Sequence, residues 1–204
     1  LAEYNTAKSA PASREFSGPF DVTEARTDER YADFGSIKLP PVEGMDIRLE
    51  VEENTQRVLA IAIQLGDSSL QLQAFAAPKT EGLWNEVRAQ LAASVSQQGG
   101  IWEERLGPFG PELVAQLPPA DNAPGSPRRH TRFIGVDGPR WFLRGLVSGA
   151  AINDPAASSQ IDTAFRSVVV DRGNQPQPPR ELLPLQFPEG IIAPPKLNFP
   201  GLSQ

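Results

Sequence analysis

Between Met45 and Ala76 the hydrophobicity of the chain alternates with a period of two, and it does so in successive blocks, which commits this region to neighbouring β-strands. In MDIRLEV, Met45, Ile47, Leu49 and Val51 face one way and Asp46, Arg48 and Glu50 the other. Arg57 to Leu65 is a nearly continuous apolar run, the pattern of a strand covered on both faces. Leu70 to Ala76 alternates again. The turns at Glu53-Asn54 and at Gly66 to Ser69 are short enough to join the three as an antiparallel meander. Past Pro78 the period switches to about 3.6. Trp84, Val87, Leu91 and Val95 then form one apolar stripe, and Gly99-Gly100 ends the helix. Such a stripe must cover a sheet face, and the meander is expected to provide it.

A second β region follows. Ile101 to Leu106 and Glu112 to Leu117 read as shorter strands around GPFG. Arg132 to Val136 and Arg140 to Ser148 read as a hairpin across Asp137-Gly138-Pro139, where Asp and Gly tolerate positive φ and Pro fixes the exit. On the second of these strands Arg140, Phe142 and Arg144 share a face, but Trp141, Leu143 and Leu146 do not all share the other, so a bulge is expected near Gly145. Asp154 followed by Pro155 is a helix start, with Ile161, Phe165 and Val168 as the buried stripe. This order favours an α+β fold, an antiparallel β-sheet with two main helices packed on it, over a doubly wound parallel sheet.

Of the 21 prolines, two lie in the first 20 residues and eight after Asn174, and the proline-dense end divides the chain. Residues 1–30 read as a flexible N-terminal arm with Phe16, Pro19 and Phe20 as anchors. Residues 31–173 form the α+β domain. Residues 174–204 are a Pro-rich extended tail, whose first part is expected to dock through Leu182, Leu183, Leu185 and Phe187. Pro118 to Pro127 reads as a mobile loop.

The chemistry is bounded by what the chain contains. With no cysteine it has no disulfide, thiolate nucleophile or Cys-ligated metal. One histidine, His130, precludes a multi-His centre and sits in a charged loop without a G-x-S-x-G partner. No Walker-type loop precedes a helix, and adjacent acids such as Glu103-Glu104 point to opposite faces of a strand. No cofactor and no metal are therefore expected. The formal charge of −6 argues against nucleic acid as a partner of the whole molecule. No apolar run approaches the roughly 20 residues of a membrane-crossing helix.

What remains is an arginine and aromatic group. Arg88, Glu112, Asp137, Arg140, Trp141 and Arg144 are the candidate binding residues, because arginine's planar fork grips carboxylate or phosphate at two points. The favoured reading is architectural first, with Asp137 and Glu112 pairing these arginines to fix the hairpin, and recognition second. In function this means a non-enzymatic interaction or accessory module that recognises a protein partner through the VDGPRW hairpin surface. Two alternatives stand beside it: a small anionic-ligand binding domain, or unrecognised hydrolase, using Arg88, Asp137, Arg140 and Arg144; and a single-stranded nucleic-acid contact through Arg128, Arg129, His130 and Arg132 next to Phe133 and Trp141.

Four motifs in order, FAAPKTEGLWNEVR, GPFGPEL, RFIGVDGPRWFLRG and SVVVDRG with a following LLPLQFPEG, resemble the actinobacterial family catalogued as domain of unknown function 3710. The resemblance covers about Phe20 to Gly190. It implies an actinobacterial, cytoplasmic protein and assigns no catalytic residue. The order of sheet, helix, strands and helix is also similar to the Mog1/PsbP-type α+β sandwich, a fold used mainly for binding and accessory roles.

Overall fold

A computed structural model describes residues 5–25, 28, 30–119 and 126–188. Its elements run, in chain order, α1 (Arg14–Ser17), β1 (Phe20–Asp21), β2 (Ala32–Asp33), β3 (Ile37–Leu39), β4 (Met45–Val51), β5 (Val58–Leu65), β6 (Ser68–Ala76), α2 (Trp84–Gln97), β7 (Ile101–Gly107), β8 (Gly110–Leu117), β9 (Arg129–Asp137), β10 (Trp141–Gly149), a single 3-10 turn (Ala150–Ile152), α3 (Pro155–Arg166) and β11 (Val169–Val170). The fold is α+β and is built on antiparallel sheet.

Seven strands form the main sheet in the order β4-β5-β6-β10-β9-β8-β7, every pair antiparallel. It is two meanders, β4 to β6 and β7 to β10, with opposite chain directions through the sheet. They join where Trp141 pairs with Ala76 and Gly149 with Ser68. A small second sheet, β1-β11-β3-β2, packs with α3 on one face of the main sheet. There Ile61, Ile63, Leu70, Leu72, Leu143 and Val147 meet Ile37, Leu39, Ile161 and Phe165, all buried. Asp154 caps α3 as expected, accepting from the Ala156 amide at 2.9 Å, with Pro155 in the first turn.

Four expectations need correction. α2 does not cover the first meander: it lies across β7, β8 and β9 on the opposite face from α3, and only its start reaches Phe75 of β6 and Phe142 of β10. The reason is that the exposed side of the first meander carries Asp46, Arg48, Glu50, Gln64, Gln71 and Gln73, which cannot bury an apolar stripe. Nor is there a bulge at Gly145, because β10 keeps one register with both neighbours through that residue. Gly145 simply occupies a core-facing position where a Cβ would lie 2.7 Å from Ile134 Cγ1, and Leu146 belongs to the α2 face.

The N-terminal segment is the third difference. Described residues 5–25 pack onto the domain, and β1 runs parallel to β11 with Phe20 opposite Val169. Phe16 is no anchor, being 81% exposed; Arg14, Gly18, Pro19 and Asp21 are the buried ones. Fourth, the β9–β10 hairpin begins earlier, at Arg129, and continues to Gly149.

The first part of the C-terminal segment inserts where β5 and β6 diverge. The Arg180 amide donates to Ala76, Ala76 to Glu181 and Leu183 to Ala74, while Leu185 bridges Val58 and Gly35. Leu183 is fully buried by this insertion. The segment thus acts as a short extra strand despite its prolines, which sit outside those bonding positions. Residues 120–125 of the expected mobile loop, and the tail from 189 on, lie outside the described residues.

Candidate functional site

Strand parity decides where the six candidate residues go. Asp137 and Arg144 lie on the α2 side of the sheet, Glu112 and Trp141 lie on the α3 side, and Arg140 sits in the turn between β9 and β10. The sheet therefore separates them, and they form no single cluster.

Asp137 ends β9 directly beneath the start of α2. Its carboxylate accepts from the Leu83 amide at 2.8 Å and the Ser9 amide at 2.9 Å, with a longer bifurcated contact at 3.4 Å from Trp84. Leu83 has no side-chain cap of its own, so Asp137 supplies the N-terminal acceptor of α2 from a strand more than fifty residues away. It also holds residues 5–9 as a strap. Asn85 donates to Asn5 and Ala7, Gly82 to Thr6, and Lys8 Nζ reaches Gly138 O and Pro139 O. Burial pushes the Asp137 carboxyl above its ordinary range, and the amides of Leu83, Ser9 and Trp84, with Lys8 beside them, pull the other way. Burial likewise lowers the Lys8 ammonium, against the pull of Asp137. Gly82 is required here: a Cβ would sit 2.6 Å from Asp137 Oδ2 and 2.7 Å from Lys8 Cα.

Trp141 faces the opposite way into the main core, fully buried. Its Nε1 donates to Asp21 Oδ2 at 2.9 Å, and Arg14 lies over the ring with 5.5 Å from guanidinium to centroid. Arg14 in turn is held two-point by Glu24, at 2.7 and 2.5 Å. Burial raises the Glu24 carboxyl, but Arg14 and the Asp21 amide outweigh it and hold it below its ordinary value. Trp141 is thus what draws residues 14–24 into the fold.

The arginines are mostly engaged. Arg88 stacks on Trp84 and donates to Glu104 at 3.0 Å and Asn85 at 3.0 Å. Arg144 lies over Phe75 and donates to Gln73, and burial lowers its guanidinium. Glu112 pairs with Arg105 at 2.6 Å and with Arg132 at 3.3 Å. Arg140 alone of the six is exposed with no side-chain partner among the described residues. The expected pairing of Asp137 and Glu112 with the hairpin arginines is not what the fold uses: Asp137 takes backbone amides, and Glu112 takes arginines from β7 and β9.

In the sequence Arg132 belongs to one basic run with Arg128 and Arg129, yet it is buried to 1% exposure. It pairs with Asp162 of α3 and donates to Ser158 at 2.8 Å, tying β9 to α3. Arg128 and Arg129 stay outside and donate to the carbonyls of Gly99, Gln116 and Pro118. Alternation was the available signal, since Arg132, Ile134 and Val136 share one strand face. Asp21, Arg14, Lys8 and Ser9 had no comparable signal, because nothing local marks their partners. A cleft beside α3, lined by Leu65, Ser159, Thr163 and Ser167, carries Glu43 as its ionisable side chain.

The sheet has two edge strands, β4 and β7, and β7 is the more exposed. It is exposed along nearly its whole length, with Ile101, Trp102 and Leu106 exposed by 57%, 44% and 83%. Its hydrogen-bonding sense follows from parity. The Asp137 amide donates away from β10, to Ser9, so odd residues of β9 bond toward β8. Thr131 and Phe133 then pair with Ala115 and Leu113, which leaves even residues of β8 for β7. Those pair with Ile101, Glu103, Arg105 and Gly107. The N–H and C=O groups of Trp102, Glu104 and Leu106 consequently point outward from the sheet edge.

Comparison with known proteins adds a family match and one structural likeness. The profile described as "Protein of unknown function (DUF3710)" matches residues 18–193. No curated protein matches the chain. Among solved structures, the solution structure of cyanobacterial PsbP (CyanoP) from Synechocystis sp. PCC 6803 is similar at 13% identity and a TM-score of 0.42, over 72% of this chain and 97% of that one.

Proposed function

The chain belongs to the family described as protein of unknown function DUF3710 and, since that family brings no activity with it, we propose from surface geometry that it is an interaction module whose contact surface is the outer edge of the β7–β8 ribbon. The observation that carries this reading is an edge that no other described residue pairs: Trp102, Glu104 and Leu106 bond outward at alternate positions, and the side chains of Ile101, Trp102 and Leu106 are exposed. Folded proteins blunt or cover such edges, because a row of free N–H and C=O groups is a template for strand addition. The VDGPRW hairpin takes an architectural part. Of Asp137 to Trp141 only Pro139 and Arg140 are exposed, and the rest anchor α2, the N-terminal strap and the core.

The anion reading rests on Arg140 alone, given the partners of Arg88 and Arg144. The nucleic-acid reading loses Arg132 to the interior and keeps Arg128 and Arg129, each already donating to backbone carbonyls.

Glu104→Pro tests the edge. Proline at this position removes an outward donor and leaves the bonds to β8 in place. Used as paired baits in a lysate of the cells that make the chain, wild type should retain proteins that the variant loses. An identical set of proteins on both baits, with the variant's circular dichroism unchanged, would sink the reading.

A further inference from the structure

Resting on that reading of the edge, we propose its partner: a second copy of this chain, added antiparallel across a two-fold axis at Glu104, so that the two main sheets continue as one. Three features of β7 point to self-pairing in this register.

The first is hydrogen bonding. Outward groups belong to residues 102, 104 and 106, and a two-fold at Glu104 sets Trp102 opposite Leu106 of the other copy, Glu104 opposite Glu104, and Leu106 opposite Trp102. All three outward residues of each strand then bond. A two-fold at Glu103 or at Arg105 matches outward residues in only two pairs, because one end of the row overhangs.

The second is charge. With the axis at Glu104, Glu103 faces Arg105 of the other copy, twice, in the closely spaced non-hydrogen-bonded positions where opposite charges stabilise. Moving the axis to Glu103 places two Glu103 carboxylates opposite each other with no side-chain partner among the described residues, whereas moving it to Arg105 brings together two guanidinium groups that each keep Glu112 at 2.6 Å, so that register is disfavoured by its lost hydrogen bonds. The facing Glu104 pair in the favoured register is already neutralised, each carboxylate held by its own Arg88 at 3.0 Å.

The third is shape. Trp102 and Leu106 lie on the α2 side, where Trp102 Nε1 donates to Ser96 of α2 at 2.9 Å, and each covers the other's exposed surface across the junction. α2 is centred near β8, so the two copies of α2 stand three strand spacings apart, roughly 14 Å at about 4.8 Å each. That clears a helix diameter of about 10–12 Å.

Sedimentation velocity on the purified full chain tests this from micromolar to 100 micromolar concentration. The expected result is a species of twice 22.1 kDa that dissociates on dilution. Glu104→Pro should run as a monomer, and Glu103→Arg, an exposed change that sets arginines opposite each other, should weaken the dimer at least tenfold. Register is read independently: the chain has no cysteine, so Glu104→Cys should join to itself through a short bis-maleimide, and Asp46→Cys on β4 should not. A wild-type chain that stays monomeric at 100 micromolar overturns self-pairing and leaves the edge reading to the bait experiment. A dimer that survives both Glu104→Pro and Glu103→Arg, or a dimer in which Glu104→Cys does not cross-link, places the interface elsewhere and overturns the proposal.

Discussion

Asp137 is the residue whose removal should report most directly on how this fold is assembled. Replacing it by Ala strips the acceptor from the Leu83 and Ser9 amides, at 2.8 and 2.9 Å, and from the weaker Trp84 contact. Hydrogen bonds to a charged group contribute about 1.5–3 kcal/mol each, so the two short ones amount to roughly 3–6 kcal/mol. Part of that is offset, because burial already disfavours the Asp137 carboxylate and the variant no longer buries a charge. A net loss of about 2–4 kcal/mol follows, or a fall in Tm of roughly 5–12 °C for a chain of this length. Asn at the same place keeps one acceptor oxygen and carries no charge, so Asp137→Asn should cost about 1 kcal/mol. Urea unfolding followed by tryptophan fluorescence, at one fixed low protein concentration, gives both numbers. Hydrogen exchange should further show the Ser9 amide opening in the Ala variant. The sign of the pH dependence is a second reading. A carboxyl whose folded pKa is raised contributes stability that is complete below its unfolded value, about 3.9, and is lost as pH rises through the folded value. Wild type should therefore gain on Asp137→Asn as the solution is acidified. Equal losses for Ala and Asn would refute the capping argument, and so would an Ala variant within 0.5 kcal/mol of wild type.

Two further outcomes follow from buried pairs. Arg132→Ala leaves Asp162 and part of Glu112 without a counter-charge inside the protein, and should cost about 3–5 kcal/mol by urea unfolding, whereas Arg132→Leu combined with Asp162→Leu should cost less because that pair goes together while Glu112 keeps Arg105. Glu24, held below its ordinary pKa chiefly by Arg14 against the effect of burial, contributes stability above its unfolded value of about 4.3 that is lost as pH falls through the folded value. The stability difference between wild type and Glu24→Gln should accordingly shrink between pH 6 and pH 3, and a constant difference would contradict the Arg14 pairing.

Periodicity by itself determined the local elements. Met45–Val51, the helix at Trp84 and the Asp154-Pro155 start of α3 all follow from side-chain spacing and capping chemistry, which act within a few residues and so are written in consecutive positions. The α+β class follows from their order. The hairpin turn at Asp137-Gly138-Pro139 was legible for the same reason, and so was the importance of the residues around it.

What those residues are for was decided by tertiary structure. Joining β6 to β10 brings together residues some seventy positions apart, and no local pattern encodes that choice. It assigns Trp141 to Asp21 and Asp137 to Ser9, partners more than a hundred residues away, and in doing so turns a polar N-terminal stretch from an expected free arm into a packed strap. The same step buries Arg132 out of a run that reads as a solvated patch, because its strand neighbours Ile134 and Val136 face the core. It also leaves β7, whose sequence marks it as an ordinary short strand, as one of the two edges of the sheet. Alternation states which side chains share a face; only the assembled sheet decides which faces are covered and which edge is left to bond.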